Sequence, residues 1–178
     1  MRRIAIISVH GCPLAPLGGK DTGGMSVYVH QLARELGQLG LKVEVYTRAH
    51  APGDPLVIPL HKNARVVHIP AGPYDAAKKD IPGYLAAFLS EVRAFRQEHG
   101  LSYDLLHSHY WLSGWAADTL AKEWSIPHVA TFHTLAEVKR RARVGEREPD
   151  LRVRVEHRVT ASTDRIVVST AHEAQALQ

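Results

Sequence analysis

The sequence predicts an α/β fold, a Rossmann-like parallel sheet with helices on both faces. Three observations predict it. Short runs rich in Ile and Val recur along the chain, longer amphipathic stretches with helical spacing separate them, and glycines close those stretches. Strand and helix signals that alternate in this way describe βαβ units, whose strands pair in parallel. With 178 residues, 45% of them hydrophobic and 22% charged, the chain has material for one sizeable core.

The first strand is the apolar run at residues 4–9. That run is too short for the core of a signal peptide, and Gly and Pro follow it in place of a small-residue cleavage site. Val27, Leu32, Leu36 and Leu39 mark a helix closed by Gly40. Residues 43–46 read as the second strand. The Pro-containing stretch 50–64 reads as a loop or hairpin, and 65–69 as another strand. Leu85, Phe88, Leu89, Val92 and Phe95 mark a helix closed by Gly100. A strand at 104–107 leads into a helix at 111–124, which stops before Pro127. Strands follow at 128–132 and 165–168. Between them, 140–149 is charged and poor in apolar residues, the pattern of a mobile surface loop. A last helix begins at Ala171, so the sequence reads as part of something longer.

Composition narrows the function. A formal net charge of +4 suits anionic small molecules and is too weak to argue for nucleic acid. Cys12 is the only cysteine, which predicts neither a disulfide framework nor a cysteine-based zinc site. No stretch approaches a membrane span, and a reducing cytoplasm is the expected location.

Three segments carry chemistry, each at the end of a strand. The first strand leads through Gly11, Gly18 and Gly19 to Thr22-Gly23-Gly24, which opens a helix. Helix N-termini offer unpaired N–H groups and a positive dipole end, and glycines let a ligand come close to the backbone. A flexible turn without ligand explains the same glycines equally well. The spacing is not the GxGxxG of dinucleotide folds. The second segment is His107-Ser108-His109-Tyr110-Trp111. Two histidines at i and i+2 share one side of a strand, but no acidic cluster or cysteine accompanies them, which argues against a metal site there. Trp111 reads as packing. The third segment is Thr131-Phe132-His133-Thr134, where a histidine is placed to hydrogen-bond a substrate hydroxyl. In a parallel sheet all three strand ends face one crevice. Lys78, Lys79, Arg152 and Arg154 lie in loops or helix starts and are the residue types that bind a phosphate monoester.

Together these segments resemble a known family. Gly23-Gly24-Met25-Ser26-Val27-Tyr28-Val29, Val43-Glu44-Val45-Tyr46-Thr47-Arg48, Ala71-Gly72-Pro73-Tyr74, His107 to Gly114 and Phe132-His133-Thr134-Leu135 are similar to segments of the retaining glycosyltransferases of family 4. The resemblance runs in order along essentially the whole chain. It is nearest to the enzymes that glycosylate inositol phosphate in mycothiol synthesis, with the sucrose-phosphate synthases further off. It implies the N-terminal, acceptor-binding half of a two-domain GT-B enzyme, with a C-terminal donor-binding domain that this chain lacks. The implied reaction moves a sugar with retention from a nucleotide-sugar, such as a UDP-sugar, to a phosphorylated cyclitol or sugar, without a metal or other cofactor.

The resemblance also implies roles. The amides of Gly23 and Gly24 meet the donor diphosphate once the domains close. His133 contacts the donor sugar near the reacting carbon. Lys78, Tyr110, Thr134 and Arg152 hold the acceptor's phosphate, Arg152 being preferred to Arg154 from its spacing to Glu156. Ser26 departs from the pattern, because the inositol-phosphate enzymes carry Asn at this acceptor-touching position. Ser offers one hydroxyl where Asn offers an amide donor and an acceptor, so the acceptor is less defined than the family. Two other readings compete. One is a nicotinamide-dependent oxidoreductase, against which the glycine spacing speaks. The other is a stand-alone, non-catalytic module that binds phosphorylated metabolites or nucleotides.

Overall fold

Residues 3–7, Arg-Ile-Ala-Ile-Ile, form β1 (Arg3–Ile7) at the centre of a seven-stranded sheet, where both faces are covered. The computed structural model describes residues 1–15, 23–142 and 149–177. The expected loop glycines Gly18 and Gly19, together with Thr22, Arg143, Arg147 and Gln178, lie outside the described residues. After β1 come α1 (Gly24–Gln38), β2 (Lys42–Arg48), β3 (Val57–His61) and β4 (Ala64–Ile69). A 3-10 turn at Ile81–Tyr84 then leads into α2 (Leu85–Glu98), β5 (Leu105–His109), α3 (Trp111–Trp124) and β6 (His128–Thr131). The chain continues through α4 (Ala136–Ala142), α5 (Asp150–Ser162), β7 (Arg165–Ile166) and α6 (Ala171–Ala176).

The strand order is β3-β4-β2-β1-β5-β6-β7. All neighbouring pairs are parallel except β3 with β4, which confirms the Rossmann-like sheet and adds one antiparallel edge strand. The stretch 50–64, read as loop or hairpin, is that hairpin. From β1 the chain first winds one way to β2 and β4, then crosses to β5 on the other side. This reversal places a topological switch point between β1 and β5, where open α/β sheets bind their ligands.

Alternate residues of the strands feed two cores. Ile6, Val43, Val45 and Val66 pack against Val29 and Ala33 of α1 on one face. Ala5, Ile7, Tyr46, Val67 and Leu106 pack against α2 and α3 on the other, through Phe88, Val92, Leu112 and Leu120. Two residues used to predict α1, Val27 and Leu39, are instead exposed. The buried stripe is Ser26, Val29, Ala33 and Gly37, because small residues let this helix lie close to the sheet. Gly40 and Gly100 end α1 and α2 with φ of 89° and 58°, the left-handed conformation that favours glycine at a helix end.

Two elements depart from the sequence reading. Residues 140–142 belong to α4 and not to a loop, since Glu137 supports the helix through Arg140 and Arg141 at i+3 and i+4. Arg152 and Arg154 lie within α5, a full helix docked on α3. Its mean hydropathy is low, so the apolar stripe of Val155 and Val159 is hard to see among its charges. Gly114 of α3 makes the docking possible, since a Cβ there would stand 3.1 Å from Val159. Ser162 donates to Asp118 at 2.7 Å and adds a polar tie between the same helices.

Candidate functional site

The carboxyl ends of β1, β5 and β6 are adjacent in the sheet, and the chemistry-bearing segments leave from them. Beyond β1, α1 opens at Gly23 and Gly24 with no side-chain cap and no acidic residue in its first turn. Its positive end is therefore unneutralised by its own side chains. Gly23 is in extended backbone that any residue adopts, and a Cβ at Gly23 or Gly24 would meet nothing within 4 Å. Packing within the described residues does not require glycine here. What the two glycines supply is open space in front of a helix N-terminus.

One turn further, the Tyr28 ring meets His133 edge-on at 5.3 Å and His109 at 5.7 Å. His109 Nδ1 and His133 Nε2 share a hydrogen bond of 2.9 Å, and His107 shares one of 2.9 Å with Thr131. The two strand histidines therefore do share a face, and they use it to hold neighbouring side chains. Burial pushes His133 and His107 down to about 4 and His109 well below its ordinary value, so all three imidazoles are neutral near pH 7. A neutral His133 can donate from one nitrogen and accept at the other, and the bond to His109 takes up Nε2.

Tyr110 ends β5 with φ 77° and ψ 159°, a conformation otherwise kept by glycine. His133 also has a positive φ, of 63°. Two non-glycine residues held this way at adjacent strand ends store strain of about 1–3 kcal/mol each. The strained backbone aims Tyr110 at two cations. Lys78 Nζ lies 4.3 Å from the ring centroid and the Arg152 guanidinium carbon 5.0 Å. His10 packs against the same ring at 4.6 Å, and burial followed by the charges of Lys78 and Arg152 lowers its pKa to about 3. Two cations thus converge on this ring, one of them ion-paired with Glu156.

Arg152 is 2% exposed. Its Nε donates to Glu156 at 2.6 Å, and its guanidinium donates to the Thr134 carbonyl at 2.7 Å and hydroxyl at 3.2 Å. The second oxygen of Glu156 accepts from the Ala136 N–H at 2.8 Å. One ion pair thereby ties α5 to the start of α4. Arg154, one residue past Val153, is exposed on the helix surface. Arg48 donates to the carbonyls of Pro73 and Tyr74, which fixes the loop that brings Lys78 to the ring. Ser26 is buried, and its hydroxyl has no hydrogen-bond partner among the described residues.

The structure therefore brings Tyr110, Lys78, Arg152 and Thr134 into one cluster, and joins it through His133 and Tyr28 to the start of α1. Sequence reasoning missed Tyr28, His10 and the supporting role of His109. An exposed aromatic one turn past a glycine pair was the only local sign of Tyr28. Trp111, read as packing, is in the core.

The pattern of the glycosyl transferase 4-like domain matches residues 23–178. The chain belongs to that family. Among the relatives of this glycosyl transferase 4-like chain is the D-inositol 3-phosphate glycosyltransferase of Corynebacterium urealyticum, 45% identical over 174 residues. That match covers 96% of this chain and 41% of the relative. The enzyme of the same name from Saccharomonospora viridis is 46% identical over 182 residues, covering 99% of the chain and 42% of the relative. The glycosyl transferase 4-like chain thus spans roughly two fifths of the length of the curated relatives it matches. A solved sucrose-phosphate synthase from Thermosynechococcus elongatus superposes with a TM-score of 0.92 at 32% identity, over 99% of this chain and 44% of that one. The sheet and its helices match the N-terminal domain of GT-B glycosyltransferases. No helix among the described residues is long and apolar enough to cross a membrane.

Proposed function

We propose that this chain is the acceptor-binding half of a retaining glycosyltransferase. It acts on a phosphorylated cyclitol or sugar, with a nucleotide-sugar, such as a UDP-sugar, as donor. The observation that carries the reading is the pairing of Lys78 and Arg152 over the Tyr110 ring, beside the Thr134 hydroxyl. Two cations converging on one aromatic ring make a pocket for a doubly charged phosphoryl group, and the buried position of Arg152 amplifies its charge. Relatives named for inositol 3-phosphate support that class of acceptor.

The remaining roles follow from chemistry. The N–H groups of Gly23 and Gly24 receive the donor diphosphate, since anions are stabilised at helix N-termini. Neutral His133 hydrogen-bonds the transferring sugar, held in its rotamer by His109 and Tyr28. Ser26 faces the acceptor ring with a hydroxyl that has no partner among the described residues. The donor's base and sugar are held by a second domain, closure of which excludes water, and no metal enters the transfer. The chain alone carries out no transfer.

Thermal melting of the chain with myo-inositol 3-phosphate, glucose 6-phosphate and unphosphorylated inositol tests the acceptor site. A phosphorylated ligand raises Tm and the unphosphorylated one does not. Lys78→Ala and Arg152→Lys shrink the shift, each measured against its own ligand-free Tm, while Arg154→Ala leaves it unchanged. Equal shifts in all four proteins would place the phosphate elsewhere.

A further inference from the structure

Among the described residues one group of metal-ligating side chains takes no part in the cluster at Tyr110: Cys12, His50 and His68. Cys12 follows β1, His50 follows β2 and His68 lies in β4, so residues far apart in the sequence meet only through the strand order. Potential ligand atoms of the three lie within 4.8 Å of one another. Cys12 Sγ and His68 Nε2 are 3.4 Å apart. A tetrahedral zinc ion, with bonds of about 2.3 Å to sulfur and about 2.0 Å to nitrogen, holds such atoms at roughly 3.5 Å. A single cysteine gives no sign of such a group in the sequence, because its two histidines come from other parts of the sheet.

The surroundings prepare these groups as ligands. His68 Nδ1 is 2.7 Å from the Pro55 carbonyl, to which it donates, leaving the Nε2 lone pair facing Cys12. His50 Nδ1 is 3.1 Å from Asp54 Oδ2. That carboxylate is itself fixed by the N–H groups of His50 and Ala51, at 2.8 and 2.9 Å. A carbonyl and a carboxylate behind two imidazoles are the partners that orient metal-bound histidines. A plain Cys–His hydrogen bond accounts for the first pair but not for His50. Cys12 and His50 also line a cavity of about 260 Å³ that gives an ion a way in and leaves room for water at the fourth position. One thiolate and the Asp54 carboxylate offset the charge of a divalent cation, and Arg48 and Asp75, of opposite sign, line the same cavity.

We propose that Cys12, His50 and His68 bind one borderline-soft divalent cation of the zinc class. Binding breaks the Cys12 S–H bond, forms a sulfur–metal bond and releases the proton to solvent, with no change of oxidation state. The bound ion cross-links the segment after β1 to the ends of β2 and β4. The transfer chemistry does not pass through the ion.

The test uses the full chain, reduced and stripped with a chelator, titrated with Co²⁺ as a spectroscopic probe and with Zn²⁺ against a chromophoric competitor. One Co²⁺ per chain is expected to produce a thiolate charge-transfer band that one equivalent of Zn²⁺ bleaches, and Zn²⁺ raises Tm while Mg²⁺ does not. Cys12→Ser and His68→Gln remove the band. His50→Gln changes a surface residue without threatening the fold, and it weakens Zn²⁺ binding by about tenfold or more. His99→Gln binds as the parent does. Absence of the band at one equivalent, or Zn²⁺ affinity unchanged in both His50→Gln and Cys12→Ser, overturns the proposal.

Discussion

Lowering the pH from about 7.5 to about 5.5 destabilises this chain through histidines that it buries uncharged. His107, His109 and His128 are almost inaccessible to water, at 8%, 0% and 2% exposure. Burial is the first cause of each lowered pKa, to about 4 for His107 and His128 and well below the ordinary value for His109. In the unfolded chain each returns to about 6.5. Between these values the unfolded state binds more protons than the folded state, so stability falls as pH drops through the unfolded pKa. Each such group tilts the balance by up to about 1.4 kcal/mol per pH unit. Integrated from pH 6.5 to 5.5, each costs about 1 kcal/mol, hence about 3 kcal/mol for the three. That is a large part of the roughly 5–15 kcal/mol that a domain possesses. Asp54 and Asp118, whose pKa values are lowered, lose their contribution only at more acid pH and do not blur this window. Urea unfolding followed by circular dichroism at about pH 7.5, 6.5 and 5.5 measures the effect, with His128→Gln as the diagnostic variant. With His10 and His133 lowered in the same way, the variant should flatten the slope by about a fifth. A stability that stays level between pH 6.5 and 5.5 refutes the claim that these rings are buried neutral.

Two further outcomes follow from packing and charge. Arg152→Met should cost about 3–5 kcal/mol, because it removes the cation paired with the buried Glu156 carboxylate, and adding Glu156→Gln should recover much of it. Equal stabilities of the single and double variants would show that the ion pair is not what is lost. Gly72→Ala should cost about 2–4 kcal/mol in chemical denaturation. Its φ is +75° and a new Cβ would stand 2.5 Å from the Tyr84 ring. Gly53→Ala, with nothing within 4 Å, should stay within about 0.5 kcal/mol of the parent.

Much of the site was legible because its signals are local. Gly23 and Gly24 at a helix start, Tyr110 after an apolar run and His133 after the next are punctuation that parallel sheets place at one edge. What went unread depends on neighbours. Tyr28 looks like any helical tyrosine until α1 docks beside β5 and β6. Helix α5 is obscured by its own charges, and Arg152 differs from Arg154 only in which face of that helix meets Thr134.

By itself the sequence determined the periodicities, and with them the order of strands and helices and the edge on which the glycines, tyrosine and histidine stand. Local backbone preferences and apolar spacing suffice for that. Tertiary structure alone decided which charges are buried and which side chains from distant segments touch. Pairing Arg152 with Glu156, aiming two cations at Tyr110 and gathering Cys12 with His50 and His68 all depend on strand order and helix docking. Distances across a fold are set by packing, and spacing along a chain does not encode them.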